Sequence, residues 1–134
     1  MNIDRIINEL DKLIIKANKH NEVPIAALIV KNNKIISKAY NKVEKNNNVL
    51  NHAEILAIIK ASKKIKNWRL DNCELYVSLE PCDMCKTIIK KARIKKIYYF
   101  TKQNKHKTEN DPMYEHIDNN YFSNQLRLFF KNKR

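Results

Sequence analysis

The 134-residue sequence predicts a single three-layer α/β domain over 1–134, with helices on both faces of a mixed central sheet of four to five strands. Several segments carry apolar residues at helical spacing, and short apolar or alternating segments typical of strands lie between them. The first two predicted strands are separated only by Asn32-Asn33, which is typical of a hairpin. A hairpin followed by alternating helices and strands favours a mixed sheet.

The first half of the chain predicts a helix, a hairpin and a second helix. Apolar positions at helical spacing predict an amphipathic helix over 2–19. The nearly continuous apolar run at 23–30 predicts a strand covered on both faces, and 34–40 predicts the next strand. A polar loop over 41–51 leads to a helix beginning at His52. That helix is apolar nearly all round, so we expect burial from both sides, by the sheet and by a second subunit.

The second half predicts two strands separated by a helix, at 73–79, 83–92 and 94–100. The stretch 101–118 is polar and irregular, with at best a vestigial fifth strand near 115–117. A last helix over 120–131 has its aromatic and aliphatic residues at helical spacing.

The composition is strongly basic and lacks glycine. The net charge of +13 comes from 27 Lys and Arg against 14 Asp and Glu, which by itself suggests a polyanionic partner. However, 22 of the basic residues are Lys, and Asn and Ile abound, as in a protein encoded by an AT-rich genome. The charge is therefore modest support for RNA binding. Without glycine, positions that need positive φ are expected to be filled by Asn or Asp.

Membrane and redox features indicate a cytoplasmic protein. No apolar run approaches the roughly 18 residues that a membrane helix needs, and the N-terminus opens into an amphipathic helix and not a signal peptide. Three cysteines, two of them candidate metal ligands, fit a reducing cytosol.

Two short stretches carry the candidate chemistry, His52-Ala53-Glu54 and Pro81-Cys82-Asp83-Met84-Cys85. They offer one imidazole and two thiolates, which zinc binds tetrahedrally, and three protein ligands leave its fourth position open for water. The candidate ligands are His52, Cys82 and Cys85. Glu54 is a nearby carboxylate that could transfer protons during a hydrolysis.

The remaining cysteine, Cys73, is not expected to close the site. It opens the predicted third strand, so about seven residues rising roughly 3.3 Å each separate it from the Cys82 turn. A lone CxxC also occurs in structural metal sites and redox sites, and both stay as alternatives. The joint occurrence of HxE and PCxxC about thirty residues apart, each heading a predicted helix, favours a catalytic site.

These motifs resemble those of the zinc-dependent base deaminases. Over most of its length the chain is similar to the bacterial tRNA adenosine deaminases, through 22–30, 52–55, 76–85 and the tail 129–134. The resemblance implies a three-layer α/β/α cytidine-deaminase-like fold and hydrolytic deamination of the wobble adenosine of tRNA to inosine. It also implies one Zn²⁺ per subunit, a homodimer, and the tRNA anticodon loop as partner.

The resemblance also implies roles for individual residues. Glu54 would be the catalytic proton carrier, and the metal ligands would be those already identified. Asn41 would contact the base and Asn51 would border the pocket, and the backbone amide near Ala27 is a further candidate for holding the pocket. Four residues of the tail would contact RNA, namely Phe129, Phe130, Lys131 and Arg134.

The sequence departs from that family at two places. Leu50-Asn51 stands where the family has Thr-Ala before the metal-binding His, at the border of the pocket. The family's glycine-containing loop after the fourth strand is replaced by the shorter segment 102–111. Two other functions therefore stay open. One is deamination of a free base or nucleoside such as cytosine, cytidine or guanine, and the other is a zinc-stabilised RNA-binding subunit without activity.

Overall fold

The computed structural model describes residues 1–103, 108 and 110–132. The four helices of this part of the chain are α1 Ile3–Lys19, α2 Ala53–Ile65, α3 Asp83–Lys91 and α4 Tyr121–Asn132. Its five strands are β1 Ala26–Lys31, β2 Lys34–Tyr40, β3 Cys73–Leu79, β4 Lys96–Thr101 and β5 Tyr114–His116. None of the described helices is both long and apolar enough to span a bilayer.

The five strands form one mixed sheet in the order β2-β1-β3-β4-β5. Strand β1 is antiparallel to both of its neighbours, whereas β3, β4 and β5 are parallel to one another. The predicted mixed sheet is thus confirmed, with five strands. The vestigial strand expected near 115–117 is a short strand at 114–116, which pairs along its whole length with Ile97–Tyr99.

Helices cover both faces of the sheet, because alternate residues of β1 point to opposite sides. Ala27 and Ile29 lie in a core with residues of α2 and α3. Leu28 and Val30 lie in a second core with residues of α1 and with Phe122 of α4. This two-sided burial confirms the interpretation of the apolar run in the first strand, and it places α2 and α3 on the face opposite α1 and α4.

The hairpin between β1 and β2 turns at Asn32 and Asn33, with φ of 52° and 61°. Positive φ at both central residues is the geometry of a type I′ turn, whose twist matches that of paired strands. Five of the seven residues with positive φ in the described part of the chain are asparagines, at 21, 32, 33, 47 and 72. Asparagine therefore takes the place that glycine would occupy in most proteins.

Two strand boundaries differ from those that the sequence predicted. β1 begins at Ala26 and not at 23, because Pro24 has no N–H to donate and the Ile25 N–H bonds the Val23 carbonyl. β4 begins at Lys96 and not at 94, because the Ile94 N–H bonds the Ile89 carbonyl. The expectation that α2 is buried from both sides is not met within one chain, where Ile59 is exposed. Its cover by a second subunit stays a prediction.

Candidate active site

The candidate metal ligands lie at the N-termini of two neighbouring helices. His52 is the N-cap of α2 and Cys82 is the N-cap of α3, both with extended backbone and neither with a side-chain capping bond. Cys85 follows in the first turn of α3. Their side chains are therefore available to a metal, and the positive end of a helix favours thiolate over thiol.

The three ligand atoms lie close enough together to share one metal ion. His52 Nδ1 lies 3.4 Å from Cys85 Sγ and 3.9 Å from Cys82 Sγ, and all three atoms are within 4.8 Å of one another. Ligands at the usual Zn–N and Zn–S lengths in a tetrahedron stand about 3.6 Å apart. Within residues 1–103, 108 and 110–132, this is the one group of three or more His, Cys, Asp or Glu that could hold a metal ion, and Cys73 is not part of it.

Burial lowers the pKa of the His52 imidazole, which favours the neutral form that binds a metal. Burial, followed by the charge of Glu54, raises the pKa of the Cys85 thiol. A bound cation reverses this effect on a thiol, since a coordinating thiol loses its proton outright. The donor set and its spacing thus fit zinc, which His and Cys ligands favour over magnesium or calcium.

Glu54 is buried beside these ligands, with 4% of its surface exposed. Burial raises its pKa to about 7, although the Glu54 backbone amide and the Cys85 thiol act in the opposite direction. A carboxyl group with a pKa near neutrality can both accept and donate a proton under physiological conditions. This is the property that a proton carrier in a hydrolysis requires.

A cavity of about 250 Å³ opens above the ligands and Glu54. His52, Glu54 and Cys82 form its floor, and the aliphatic side chains of Val23 and Ile25 are among those that form its walls. This volume lies just below the range of about 300–1,000 Å³ that is usual for ligand cavities. The cavity therefore suits one planar base better than an extended ligand.

The three predicted base-binding residues occupy different places. Asn41 follows β2, is buried and lies in the cavity wall. Asn51 is absent from the wall; its side chain accepts a hydrogen bond from Asn46 and its carbonyl accepts one from the Lys42 N–H. Ala27 is fully buried in the core and is also absent from the wall. Base contact by each of these three residues stays a prediction.

The cavity wall also contains polar residues that sequence analysis missed. Glu44, Glu80 and Gln103 all line it. The sequence places Glu80 next to a metal-binding turn, but an acidic residue at a strand end is as often solvated, so no role follows from its position alone. The resemblance to the family could have singled out Glu80 as a candidate site residue, because Glu80 directly precedes the Pro-Cys motif. No local sequence signal marks Glu44 or Gln103.

The C-terminal helix presents part of the predicted RNA-binding tail. Phe129 is partly buried and Phe130 is 51% exposed, with their rings 5.3 Å apart in an edge-to-face arrangement. Lys131 is exposed, and Arg134 lies outside the described residues. Phe129 also lines a recess that shares Val23 and Glu44 with the cavity. The helix end is therefore continuous with the rim of the candidate active site.

A mixed five-stranded sheet that carries a His-Cys-Cys group and a buried carboxylate at two helix N-termini defines the class of cytidine-deaminase-like α/β proteins. Comparison with known sequences identifies the family within that class. The chain belongs to the MafB19-like deaminase family, whose profile matches residues 1–134.

Curated relatives support the resemblance to tRNA adenosine deaminases. The tRNA-specific adenosine deaminase of Rickettsia bellii is 48% identical over 88 residues, which is 64% of this chain and 61% of the relative. The tRNA-specific adenosine deaminase of Buchnera aphidicola is 38% identical over 136 residues, covering 88% of this chain and 87% of the relative. The alignments with several relatives, that of Rickettsia bellii among them, span about three fifths of those proteins.

Solved structures show the same fold. One from a study of A-to-I editing by tRNA:A34 deaminases matches with a TM-score of 0.76 and 31% identity, over 87% of this chain and 95% of that one. The guanine deaminase of Bacillus subtilis matches with a TM-score of 0.72 and 29% identity, over 98% of this chain and 95% of that one. The predicted fold and the predicted resemblance are both confirmed.

Proposed function

We propose that this protein deaminates adenosine to inosine at the wobble position of tRNA. The observation that carries the proposal is the buried Glu54 beside a zinc-compatible His-Cys-Cys group, on the floor of a base-sized cavity. The curated relatives that carry the name tRNA-specific adenosine deaminase, at 38–48% identity, support adenosine in tRNA as the substrate.

One Zn²⁺ per subunit is the proposed cofactor, held by His52, Cys82 and Cys85. Zinc in such a site supplies Lewis acidity that makes water nucleophilic near neutral pH. Glu54 would carry one proton of the attacking water to the ring nitrogen and the second proton of that water to the departing amine. The net reaction consumes one water and releases one ammonia.

The cavity wall positions the base. The Asn41 amide offers both a donor and an acceptor, so it can hydrogen-bond the edge of a heterocycle. The side chains of Val23 and Ile25 exclude water from the faces of the ring. Ala27 and Asn51 are proposed to help hold the pocket from behind this wall, consistent with their burial and their places outside the lining.

The anticodon loop is the proposed macromolecular partner. A base in a loop is already outside a duplex, so its extrusion into a pocket costs less than from paired RNA. Phe130 and Lys131 project from the end of α4, and Phe129 lines the recess beside the cavity rim. These residues, together with Arg134, are proposed to contact the RNA flanking the wobble base. The active form is proposed to be a cytoplasmic homodimer.

Deamination of a free base is the second candidate. The 29% identity with a guanine deaminase over 98% of the chain favours it, and so does Leu50-Asn51 in the place of the Thr-Ala that the tRNA adenosine deaminases have before the metal-binding His. The two candidates differ in what they require of the tail, because a small substrate gains nothing from an aromatic and basic surface outside the cavity.

The test is a substrate panel with zinc-loaded protein. An anticodon stem-loop with a wobble adenosine is incubated beside free adenosine, cytosine, cytidine and guanine, and inosine or the other products are separated by chromatography. We expect inosine in the RNA and no turnover of the free compounds. Turnover of guanine alone would replace the proposed function with the second candidate, and no turnover at all would favour a non-catalytic RNA-binding subunit.

Substitution of Lys131 should weaken RNA binding through charge. Removing one interaction between a cation and a phosphate reduces the slope of log K against log salt by about 0.7–0.9, so Lys131→Ala is expected to lower both the affinity and that slope. Fluorescence anisotropy with a labelled stem-loop at several salt concentrations measures both. Lys63→Ala is the matched control, because Lys63 is exposed on α2, which lies on the other face of the sheet. Equal slopes for the two variants would contradict the assignment.

A further inference from the structure

Two buried glutamates lie beside the cavity without a part in the proposed reaction. We propose that Glu22 and Glu80 are positioning residues, each of which holds one loop that carries a residue of the cavity wall. Together they would hold Glu44 and Gln103 in the cavity wall and so support binding of the base. The kinetic half of this inference rests on the proposed function, whereas its structural half does not.

Glu22 fixes the loop between β2 and α2. It is fully buried just before β1, and its two carboxylate oxygens accept hydrogen bonds from the backbone N–H groups of Glu44, at 3.1 Å, and Lys45, at 2.7 Å. Glu44 lines the cavity. Bonds from N–H groups to a carboxylate are stronger than bonds between neutral groups. The loop also has turn bonds of its own, such as that from the Asn46 N–H to the Lys42 carbonyl, and the two bonds to Glu22 tie its residues 44 and 45 to the segment before β1.

Glu80 fixes the segment after β4. It is 2% exposed between β3 and the Pro81 turn, and its carboxylate accepts from the Gln103 N–H at 2.9 Å and from the Thr108 hydroxyl at 2.8 Å. The Glu80 carbonyl also accepts from the Gln103 side-chain amide at 2.6 Å. Three hydrogen bonds thus tie this segment to the residue that precedes the metal-binding turn. Gln103 forms part of the cavity wall.

The partners of the two glutamates differ in a way that makes the inference testable. Backbone N–H groups can only donate, so both oxygens of Glu22 must accept. The Thr108 hydroxyl can also accept, and it lies 2.9 Å from the Tyr99 hydroxyl. If the Thr108 hydroxyl turned its hydrogen toward Tyr99, it could accept from an amide at position 80.

Replacement of each glutamate by glutamine should therefore have unequal effects. In Glu22→Gln, one backbone N–H faces an NH₂ group and loses its acceptor. A buried donor without an acceptor should shift the equilibrium that opens this loop by about five- to 150-fold. In Glu80→Gln, the carbonyl still accepts from Gln103 and the NH₂ donates to Thr108. This variant should recover most of what Glu80→Ala loses.

The first measurement is amide hydrogen exchange of the zinc-loaded protein, resolved by NMR. We expect Glu22→Gln to speed exchange at Glu44 and Lys45 by about tenfold or more. We expect Glu80→Ala to speed exchange at Gln103 and Glu80→Gln to restore most of its protection. Should Glu22→Gln not fold, Glu22→Asp keeps the charge but shortens the reach, and should speed the same two amides.

The second measurement is the kinetics of the stem-loop substrate. We expect Glu22→Gln and Glu80→Ala to raise KM by about tenfold, to change kcat less than KM, and to keep one zinc per chain. Glu115→Gln is the control, because Glu115 is 57% exposed and pairs only loosely with Lys96 at 3.7 Å. It should change none of these quantities.

Three results would overturn the inference. They are unchanged exchange at Glu44 and Lys45 in Glu22→Gln, equal damage from Glu80→Gln and Glu80→Ala, and faster exchange without any change in KM. If the wild type converted a free base and not RNA, the proposed function would fail and KM would be measured on that base. If it converted none of the substrates, the exchange rates alone would decide whether the two glutamates hold these loops.

Discussion

Replacement of Glu54 by alanine is expected to abolish deamination while zinc stays bound. Glu54 is not among the three ligand residues, so its removal leaves the metal group intact. General acid–base catalysis contributes about 10²–10⁴-fold to a rate, and Glu54 is proposed to transfer a proton more than once in each turnover. We therefore expect kcat for the stem-loop to fall by at least about a thousandfold. Single-turnover kinetics and metal analysis on one preparation measure both quantities.

The matched control for this variant is Glu115→Ala, which removes a carboxylate from the surface of β5. An exposed ion pair such as Glu115 with Lys96 contributes about 0–1 kcal/mol, so this variant should retain wild-type kcat and zinc. Retention of more than a tenth of the wild-type kcat by Glu54→Ala would contradict the proposed mechanism. Loss of zinc from Glu54→Ala would instead show that this carboxylate supports the metal.

Replacement of Cys85 by alanine is expected to remove both zinc and activity. Cys85 is fully buried in the first turn of α3, with its sulfur 3.4 Å from His52 Nδ1. Only His52 and Cys82 would remain as protein ligands, whereas zinc sites usually have three or four. We expect zinc content, measured by mass spectrometry of the dialysed protein, to fall from one per chain to near zero. Deamination should fall below detection with it.

Cys73→Ala is the control for Cys85→Ala. Both substitutions delete one thiol from a fully buried cysteine, but Cys73 lies at the start of β3 and outside the metal group. Cys73→Ala should therefore lose some stability from the small void that it leaves, and keep its zinc and its activity. One zinc per chain in Cys85→Ala, or its loss from Cys73→Ala, would contradict the ligand assignment.

The candidate metal ligands and Glu54 could be proposed from sequence because their signals are local. The HxE and PCxxC motifs each span only a few residues at the start of a helix. The spacing within each motif therefore determines the directions in which its side chains point. Asn41 was reached only through the resemblance to a family, since an asparagine after a strand is common in this chain. The structure places Asn41 in the cavity wall, whereas Ala27 and Asn51 lie outside that wall.

The sequence by itself determined the order of helices and strands, the mixed sheet and the three candidate metal ligands, because periodicity and short motifs are properties of neighbouring residues. Only the tertiary structure decided which side chains wall the cavity. Glu22 meets a loop 22 residues further along the chain, and Glu80 meets Thr108 across 28 residues. Glu22 meets its loop because β1 and β2 pair as a hairpin, and Glu80 meets Thr108 because β4 lies beside β3. A local pattern predicts the hairpin, but which side chains meet beyond the strand ends depends on the packing of the whole domain.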